Sequence, residues 1–324
     1  MKKLVLTVTL NPAIDRTLKI SNFRAGRDFY AEAPNLSAGG KGINVSRALR
    51  ILGSNTLATG LLGGSNGDYI KRKLEIEAIN NDFLRIEKET RVNFAVIDPA
   101  GGKTTRIIER GPLVSSVEIR RLRRKILILL KECAYVVFSG SKADGFPDSF
   151  YAELIEIANE KKVKTVVDTR GKPLLEAIKA KPFLIKPNLE EMEYIMKRKL
   201  RTLSGIRAAA QSILSRGVKI ALITMSSSGA VAACGEEILF AVPPVLRRAN
   251  IVGCGDAFIA GFIYSYSRGE NFRDCVRMAS AAGAANALAI QPCALRKKDV
   301  DSIVKRVKMR DLLIGKFIPL EMNF

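Results

Sequence analysis

GINVSRALRILGSNTLATGLL, Gly42 to Leu62, joins an amphipathic helical stretch (42–52) to a short apolar run (56–62) through Gly53. The same alternation extends outward in both directions. LVLTVTL (4–10) lies upstream, and AYVVFSG (134–140), KTVVDT (164–169), FLIKPN (183–188) and KIALITM (219–225) follow as strand candidates. Helical stretches separate them: DYIKRKLEIEAI, EIRRLRRKILILLKE, SFYAELIEIANEK and SGIRAAAQSILSRG, and later GDAFIAGFIYSYSRG and FRDCVRMASAAGAANALAI. Strands alternating with helices predict a doubly wound, mostly parallel α/β sheet with helices on both faces.

Two segments break this rhythm. Residues 13–36 contain IDRTLKI and RDFYAEAP, which read as short alternating strands, and 90–110 reads as a hairpin turning at Pro99-Ala100-Gly101-Gly102. Both are expected to pair as a small β-sheet lid inserted into a core made of 1–12, 37–89 and 111–316, with 317–324 as a C-terminal tail. A projecting sheet needs its exposed face covered, by a ligand or by a second subunit.

The chain has 324 residues, enough for one large domain or two ordinary ones. Lys and Arg outnumber Asp and Glu by 53 to 32, which favours anionic partners. The densest basic stretch, 118–132, places Ile119, Leu122, Ile126 and Leu129 at helical spacing. It reads as an amphipathic helix with a solvated basic face rather than a nucleic-acid surface, because no aromatic residues interleave with it. Five cysteines without a CxxC pair, and no histidine, argue against a disulfide framework or a Cys/His zinc site and fit a reducing compartment. Without imidazole, a general base must be a carboxylate, Lys, Tyr or Cys. The opening apolar stretch is too short for a signal peptide, and no run approaches the ~18 apolar residues of a spanning helix. A cytoplasmic protein without membrane association is expected.

Two motifs carry chemistry. In SAGGKGINVSRALRILG (37–53), Gly39, Gly40 and Gly42 allow close backbone approach, and Asn44 near the helix start is placed to reach a bound hydroxyl. In VGCGDAFIAGF (252–262), the N–H groups of Gly253, Cys254 and Gly255 at a helix N-terminus make an anion hole. Asp256 in that first turn is either an N-cap, worth ~1 kcal/mol, or a base that takes a proton from an attacking hydroxyl. A lone G-x-G-D is weak; paired with GGKGIN it is strong.

Together with TLNPAID (9–15), TRVNF (90–94), SGS (139–141) and KPNLEE (186–191), these motifs resemble the ribokinase-like, PfkB-type carbohydrate kinases. Within that family the likeness is to the sugar-phosphate branch of 1-phosphofructokinase and tagatose-6-phosphate kinase. The resemblance implies a ribokinase-like fold with a β-lid that often also forms a homodimer contact. It implies ATP and Mg²⁺, with Asp256 as catalytic base above the anion hole. Asp15, Gly39, Gly40, Lys41 and Asn44 would hold the sugar, and Arg91 its existing phosphate, with Ser141 and Lys142 on the same side. Lys186, Asn188, Thr224, Ser226 and Gly229 would meet ATP, and Ala282 to Asn286 would build the adenine pocket. Glu191 would hold Mg²⁺, through water. The implied reaction is phosphorylation of a ketohexose phosphate, first fructose 1-phosphate, then tagatose 6-phosphate or fructose 6-phosphate; a non-catalytic sugar-phosphate binder is the remote alternative.

Each of these residues also has a plainer reading: Asp15 as a turn former after Asn-Pro, Arg91 as a surface charge, Glu191 as a first-turn carboxylate. Their joint appearance in family order favours the site. Several positions depart from the family pattern. Lys142-Ala143 stands where Leu-Pro is usual, Ser226 and Cys254 replace commoner Gly and Ala, Thr169-Arg170 replaces small residues, and AIQPCAL lacks a glycine.

Overall fold

The first strand, β1 (Leu4–Thr9), is buried from Val5 onward and becomes an inner strand of the large sheet. The computed structural model describes residues 4–31, 34–246, 251–289 and 291–312, so the expected tail at 317–324 lies outside the described residues. After β1 come β2 (Ala13–Lys19), β3 (Asn35–Gly39), α1 (Lys41–Leu52), β4 (Thr56–Gly63), α2 (Gly64–Ile76) and β5 (Leu84–Ile86). The hairpin β6 (Arg91–Asp98) and β7 (Lys103–Ile108) precedes α3 (Ser116–Leu129) and β8 (Cys133–Ser139). Then follow α4 (Phe150–Glu160), β9 (Lys164–Asp168), α5 (Lys172–Lys179), β10 (Leu184–Ile185), α6 (Leu189–Met196), α7 (Leu203–Ser215) and β11 (Ile220–Thr224). The chain closes with β12 (Ala230–Cys234), β13 (Glu237–Val242), α8 (Cys254–Tyr266), α9 (Phe272–Asn286), α10 (Lys297–Val304) and β14 (Lys308–Asp311).

These strands form a ten-stranded sheet in the order β14-β13-β12-β11-β10-β9-β8-β1-β4-β5. The run from β5 to β11 is parallel, and β12, β13 and β14 continue it antiparallel. Strand alternation divides the core into two layers. In β8, Val136 and Phe138 pack with α3, α4 and α7, whereas Tyr135 and Val137 pack with α1, α8 and α9. Each fully buried Phe, Leu or Ile contributes about 1.5–3 kcal/mol. Two covered faces explain why the strands read as nearly continuous apolar runs.

The second sheet, β3-β2-β6-β7, is the lid; β2 pairs parallel with β6, and the outer pairings are antiparallel. Ile14 and Ala38 anchor it to Ile70 and Leu74 of α2. The lid differs from expectation in its third strand. RDFYAEAP is not a strand: its described residues are irregular, and Tyr30 stands fully in solvent. The third lid strand is NLSAG, whose Ser37, Ala38 and Gly39 are buried, so the lid sheet runs past residue 36 into the glycine motif. The strand expected over 183–188 shrinks to Leu184–Ile185, since Pro187 has no N–H to offer a ladder.

The basic helix α3 buries Leu122 and Ile126, and Ser115 with Glu118 closes a capping box at its start. On its polar face Arg123 pairs with Glu153 and Lys125 with Asp82.

Candidate active site

Thr9, Ser139, Asp168 and Thr224 are the last residues of β1, β8, β9 and β11, and all four line one cleft of about 660 Å³. The carboxyl ends of parallel strands are where open α/β sheets bind ligands. The lid contributes Asp15, Arg91, Asn93, Arg106 and Ile108 to the opposite wall.

Asp256 sits at the cleft floor. Gly253 ends the preceding loop with φ 85°, the left-handed region that glycine tolerates best, and a Cβ there would meet Pro292 at 3.1 Å. Helix α8 then starts without a side-chain cap, and Gly253, Cys254 and Gly255 line the cleft at its positive end. Asp256 is the third residue of α8 and does not cap it. Its side chain is buried, and Oδ2 accepts a hydrogen bond from Asn44 Nδ2 at 2.8 Å. Burial pushes its pKa up to about 6, against the pull of Lys41, with the Asp168 charge adding to the rise.

Asp168 lies outside both glycine motifs and sits at the centre of the charge network. Lys41 Nζ donates to its Oδ1 at 3.1 Å, and Lys186 Nζ approaches the same atom at 3.3 Å. Burial alone would raise the Asp168 pKa, but the Lys186 and Lys41 ammoniums reverse it and hold the group ionised. Burial in turn disfavours charge on Lys41, and Asp168, Asp256 and Glu191 outweigh that, so Lys41 stays protonated. A Cβ on Gly255 would lie 3.2 Å from Lys186 Nζ, so the glycine leaves room for the ammonium beside the helix start.

At the lid end, Asn93 Nδ2 donates to Asp15 Oδ1 at 2.9 Å. Burial raises the Asp15 pKa, with Asn93 and nearby arginines opposing it. Gly39 is required here by close approach: a Cβ would fall 2.2 Å from Asp15 Oδ2. Arg91 is less free than expected. Nη1 donates to the Glu109 carbonyl at 2.8 Å and Nη2 to the Asn11 carbonyl at 3.0 Å, while Nε is buried without a partner. The Arg106 and Arg170 guanidiniums also line the cleft, and neither has a hydrogen bond or ion pair among the described residues.

Gly40 and Ser141 line the cleft; Lys142, expected beside them, does not. Its ammonium donates to the Phe146 carbonyl at 2.8 Å and pairs with Asp148 at 3.2 Å, which holds it in its own loop. On the other side, Lys186, Asn188, Glu191, Thr224, Ser226 and Gly229 share the cleft wall with Pro243 to Leu246, Gly283 and Ala284. Asn286 is turned away from the cleft. It is fully buried, donating to the Val252 carbonyl at 2.9 Å and accepting from Cys293 N at 2.6 Å, so it braces the glycine loop from behind. Asn188 and Glu191 form a reciprocal capping box on α6, with bonds of 2.8 and 2.9 Å. Burial raises the Glu191 pKa, and the Asp168 charge raises it further.

Among the described residues, seven of the eight buried side-chain polar atoms without a partner belong to cleft residues: Thr9, Asn11, Arg91, Asn93, Ser139, Asp168 and Thr169. Such groups are costly to leave unpaired, so their gathering marks a place built for a polar ligand. The signal for Asp168 was present in the sequence as a carboxylate ending a parallel strand. Arg106 had only its place in the lid hairpin.

The chain matches the model of the pfkB family of carbohydrate kinases over residues 2–297. It is 35% identical to a 1-phosphofructokinase of Borreliella burgdorferi, covering 95% of this chain and 99% of the relative. A tagatose-6-phosphate kinase of Staphylococcus epidermidis is 29% identical over 94% of this chain and 99% of its own. Among solved structures, a variant of phosphofructokinase-2 from Escherichia coli superposes with a TM-score of 0.89 at 27% identity, covering 94% and 99% of the two chains.

Proposed function

Since the chain belongs to the pfkB family of carbohydrate kinases, we propose that it transfers the γ-phosphoryl group of ATP to a ketohexose phosphate, with fructose 1-phosphate as the preferred acceptor. One observation carries this reading. The buried Asp256 carboxylate, facing Lys41 and Lys186, shares a cleft with a separate arginine group of Arg91, Arg106 and Arg170. The first cluster suits a hydroxyl attacking a phosphoryl group, and the second suits a phosphate already on the acceptor.

Asp256 takes the proton of the free primary hydroxyl. A pKa of about 6 leaves it mostly ionised at neutral pH yet basic enough to accept a proton in the transition state. Asn44 fixes the carboxylate through Oδ2. The positive end of α8 with Gly253, Cys254 and Gly255, together with Lys41 and Lys186, faces the charge that develops on the transferring group. Asp15 and Asn93 bind sugar hydroxyls, and the lid arginines hold the far phosphate. Closure of the lid excludes water and suppresses ATP hydrolysis.

The donor set fits Mg²⁺. Glu191 supplies a carboxylate at the cleft wall, and the nearby Asp168 Oδ2 is buried without a partner. Mg²⁺ characteristically binds to one or two carboxylates, keeps several waters and takes its remaining ligands from substrate phosphates. Glu191 would hold the ion through water, and when bound it would neutralise phosphate charge.

The similarity to a tagatose-6-phosphate kinase supports a second acceptor. A ketofuranose has a CH₂O arm at each end, so one pocket can take a 1- or a 6-phosphate with the ring turned around. The test is ADP release measured across fructose 1-phosphate, fructose 6-phosphate, tagatose 6-phosphate, fructose and ribose. The highest kcat/KM is expected with fructose 1-phosphate; a preference for an unphosphorylated sugar would overturn the reading. Five free cysteines suit a cytoplasmic site of action, and no helix among the described residues is long and apolar enough to cross a membrane.

A further inference from the structure

We propose that Arg47 is a positioning residue for phosphoryl transfer, acting by locking the Asn44 amide with its nitrogen turned toward Asp256. The inference rests on the assignment of Asp256 as the base.

Arg47 lies one turn after Asn44 on α1 and is 5% exposed. Its guanidinium is engaged on every side. Nε donates to Glu77 Oε2 at 2.6 Å, Nη2 to the Ala38 carbonyl at 2.8 Å, and Nη1 to Asn44 Oδ1 at 2.9 Å and to the Pro292 carbonyl at 3.3 Å. An arginine only donates and an ionised carboxylate only accepts. Asn44, bonded to Arg47 at one end and to Asp256 at the other, therefore has one satisfactory orientation of its amide. Turned over, it would set its NH₂ against the guanidinium and its oxygen against the Asp256 carboxylate.

A buried ion pair is weak evidence for stabilisation, and a carboxylate partner alone would not call for a four-way fork. The fork has a geometric use. It joins the end of the lid strand β3, the helix that carries Lys41 and Asn44, and the loop that underlies Gly253. Lysine could keep a charge near Glu77 but could not meet these acceptors in one plane.

The charged and titratable groups facing Asp256 are Lys41 from α1, Asp168 at the end of β9, Lys186 beyond β10 and the Cys293 thiol behind α8. Of these, the Cys293 thiol also feels the Arg47 charge, but burial keeps it neutral with or without that charge. Arg47 also acts electrostatically on Asp15, so the experiment must separate a route through Asn44 from a direct effect on that carboxylate.

Arg47→Lys, Arg47→Met, Asn44→Ala and the Arg47→Lys/Asn44→Ala pair are made in the full chain and checked for a cooperative thermal transition. The pH profile of kcat and the KM values for ATP and fructose 1-phosphate are then measured, with Asp256→Asn alongside. Losing the amide donor removes a stabiliser of the ionised base. The acid limb of kcat should move up by about one pH unit in each Arg47 variant, with KM for ATP changed less than about twofold. In the Asn44→Ala background, Arg47→Lys should add no further shift. Arg47→Met carries the same expectation should the lysine variant fail to fold. An unmoved limb in folded Arg47 variants, or an equal shift with Asn44 already removed, overturns the positioning role while leaving the base assignment intact. Turnover surviving in Asp256→Asn overturns that assignment, and the proposal with it.

Discussion

Burial holds Asp256 in a state that costs stability and suits the base proposed for it. Its pKa, raised by burial to about 6, means that between the ordinary carboxylate range and pH 6 the folded protein keeps a proton that the unfolded chain has released. Its contribution is therefore fully present at low pH, falls as pH rises toward 6, and is flat above. Asp256→Asn should raise the thermal midpoint at pH 8, by an amount corresponding to about 2–3 kcal/mol at most, while lowering kcat by roughly 10²–10⁴-fold with ATP affinity retained. A variant less stable than wild type at pH 8, or one keeping half of its turnover, would contradict this account. The wild-type kcat should fall on acidification through pH 6. At the far phosphate, Arg170→Ala should raise KM for fructose 1-phosphate more than tenfold, since a charge-assisted bond is worth on the order of 1.5–3 kcal/mol. KM for ATP should change less. Arg91→Lys is expected to behave differently. Its Nη atoms hold the Glu109 and Asn11 carbonyls, so the change should loosen the lid root as well as weaken binding. A KM for the sugar phosphate that stays put in Arg170→Ala would move the phosphate site elsewhere.

Helices α3 and α6 begin with the same device, a reciprocal capping box, and differ in what surrounds it. Ser115→Ala removes the cap of a surface helix and should cost about 1 kcal/mol of stability with kinetics unchanged. Asn188→Ala should cost a similar amount but also release Glu191, and so raise the Mg²⁺ concentration needed for half-maximal rate. Equal Mg²⁺ requirements in the two variants would detach Glu191 from the metal. The same contrast shows what the sequence could disclose. Strands such as LVLTVT and CAYVVFS are legible because both faces are buried, and AAAQSIL because its apolar face repeats at helical spacing. The strand AVAAC was not foreseen, because four small or alanine-like positions carry little β-preference, and its place is set by pairing with β11 and β13. Asp256, Asn44 and Lys41 were legible through their glycine-rich settings. Asp168, Arg106 and Arg47 were not, because each gains its meaning from a group distant in chain order: Lys41 for Asp168, Glu77 for Arg47, and for Arg106 the Asp15 carboxylate that feels its charge. Lys142 misled for the opposite reason, since its partners Phe146 and Asp148 are local.

At the scale of the whole molecule, the lid is a four-stranded sheet whose outer strand β7 is exposed along its length, with Ile107 and Ile108 each more than half in solvent. A small sheet with an open apolar edge suits pairing with a second copy. Light scattering at micromolar concentration should give twice the mass of the chain, and Ile107→Lys should shift it toward the monomer; a fully active monomer would remove the lid from the assembly. The lid also has no slack. Strand β3 ends at Gly39 and α1 begins at Lys41, so Gly40 alone, at φ 126°, lies between the lid sheet and the helix that bears Lys41 and Asn44. A lid tethered by loops could swing without consequence. With a one-residue fulcrum, any torque at its outer edge would arrive directly at Lys41 and Asn44, beside the Asp256 carboxylate.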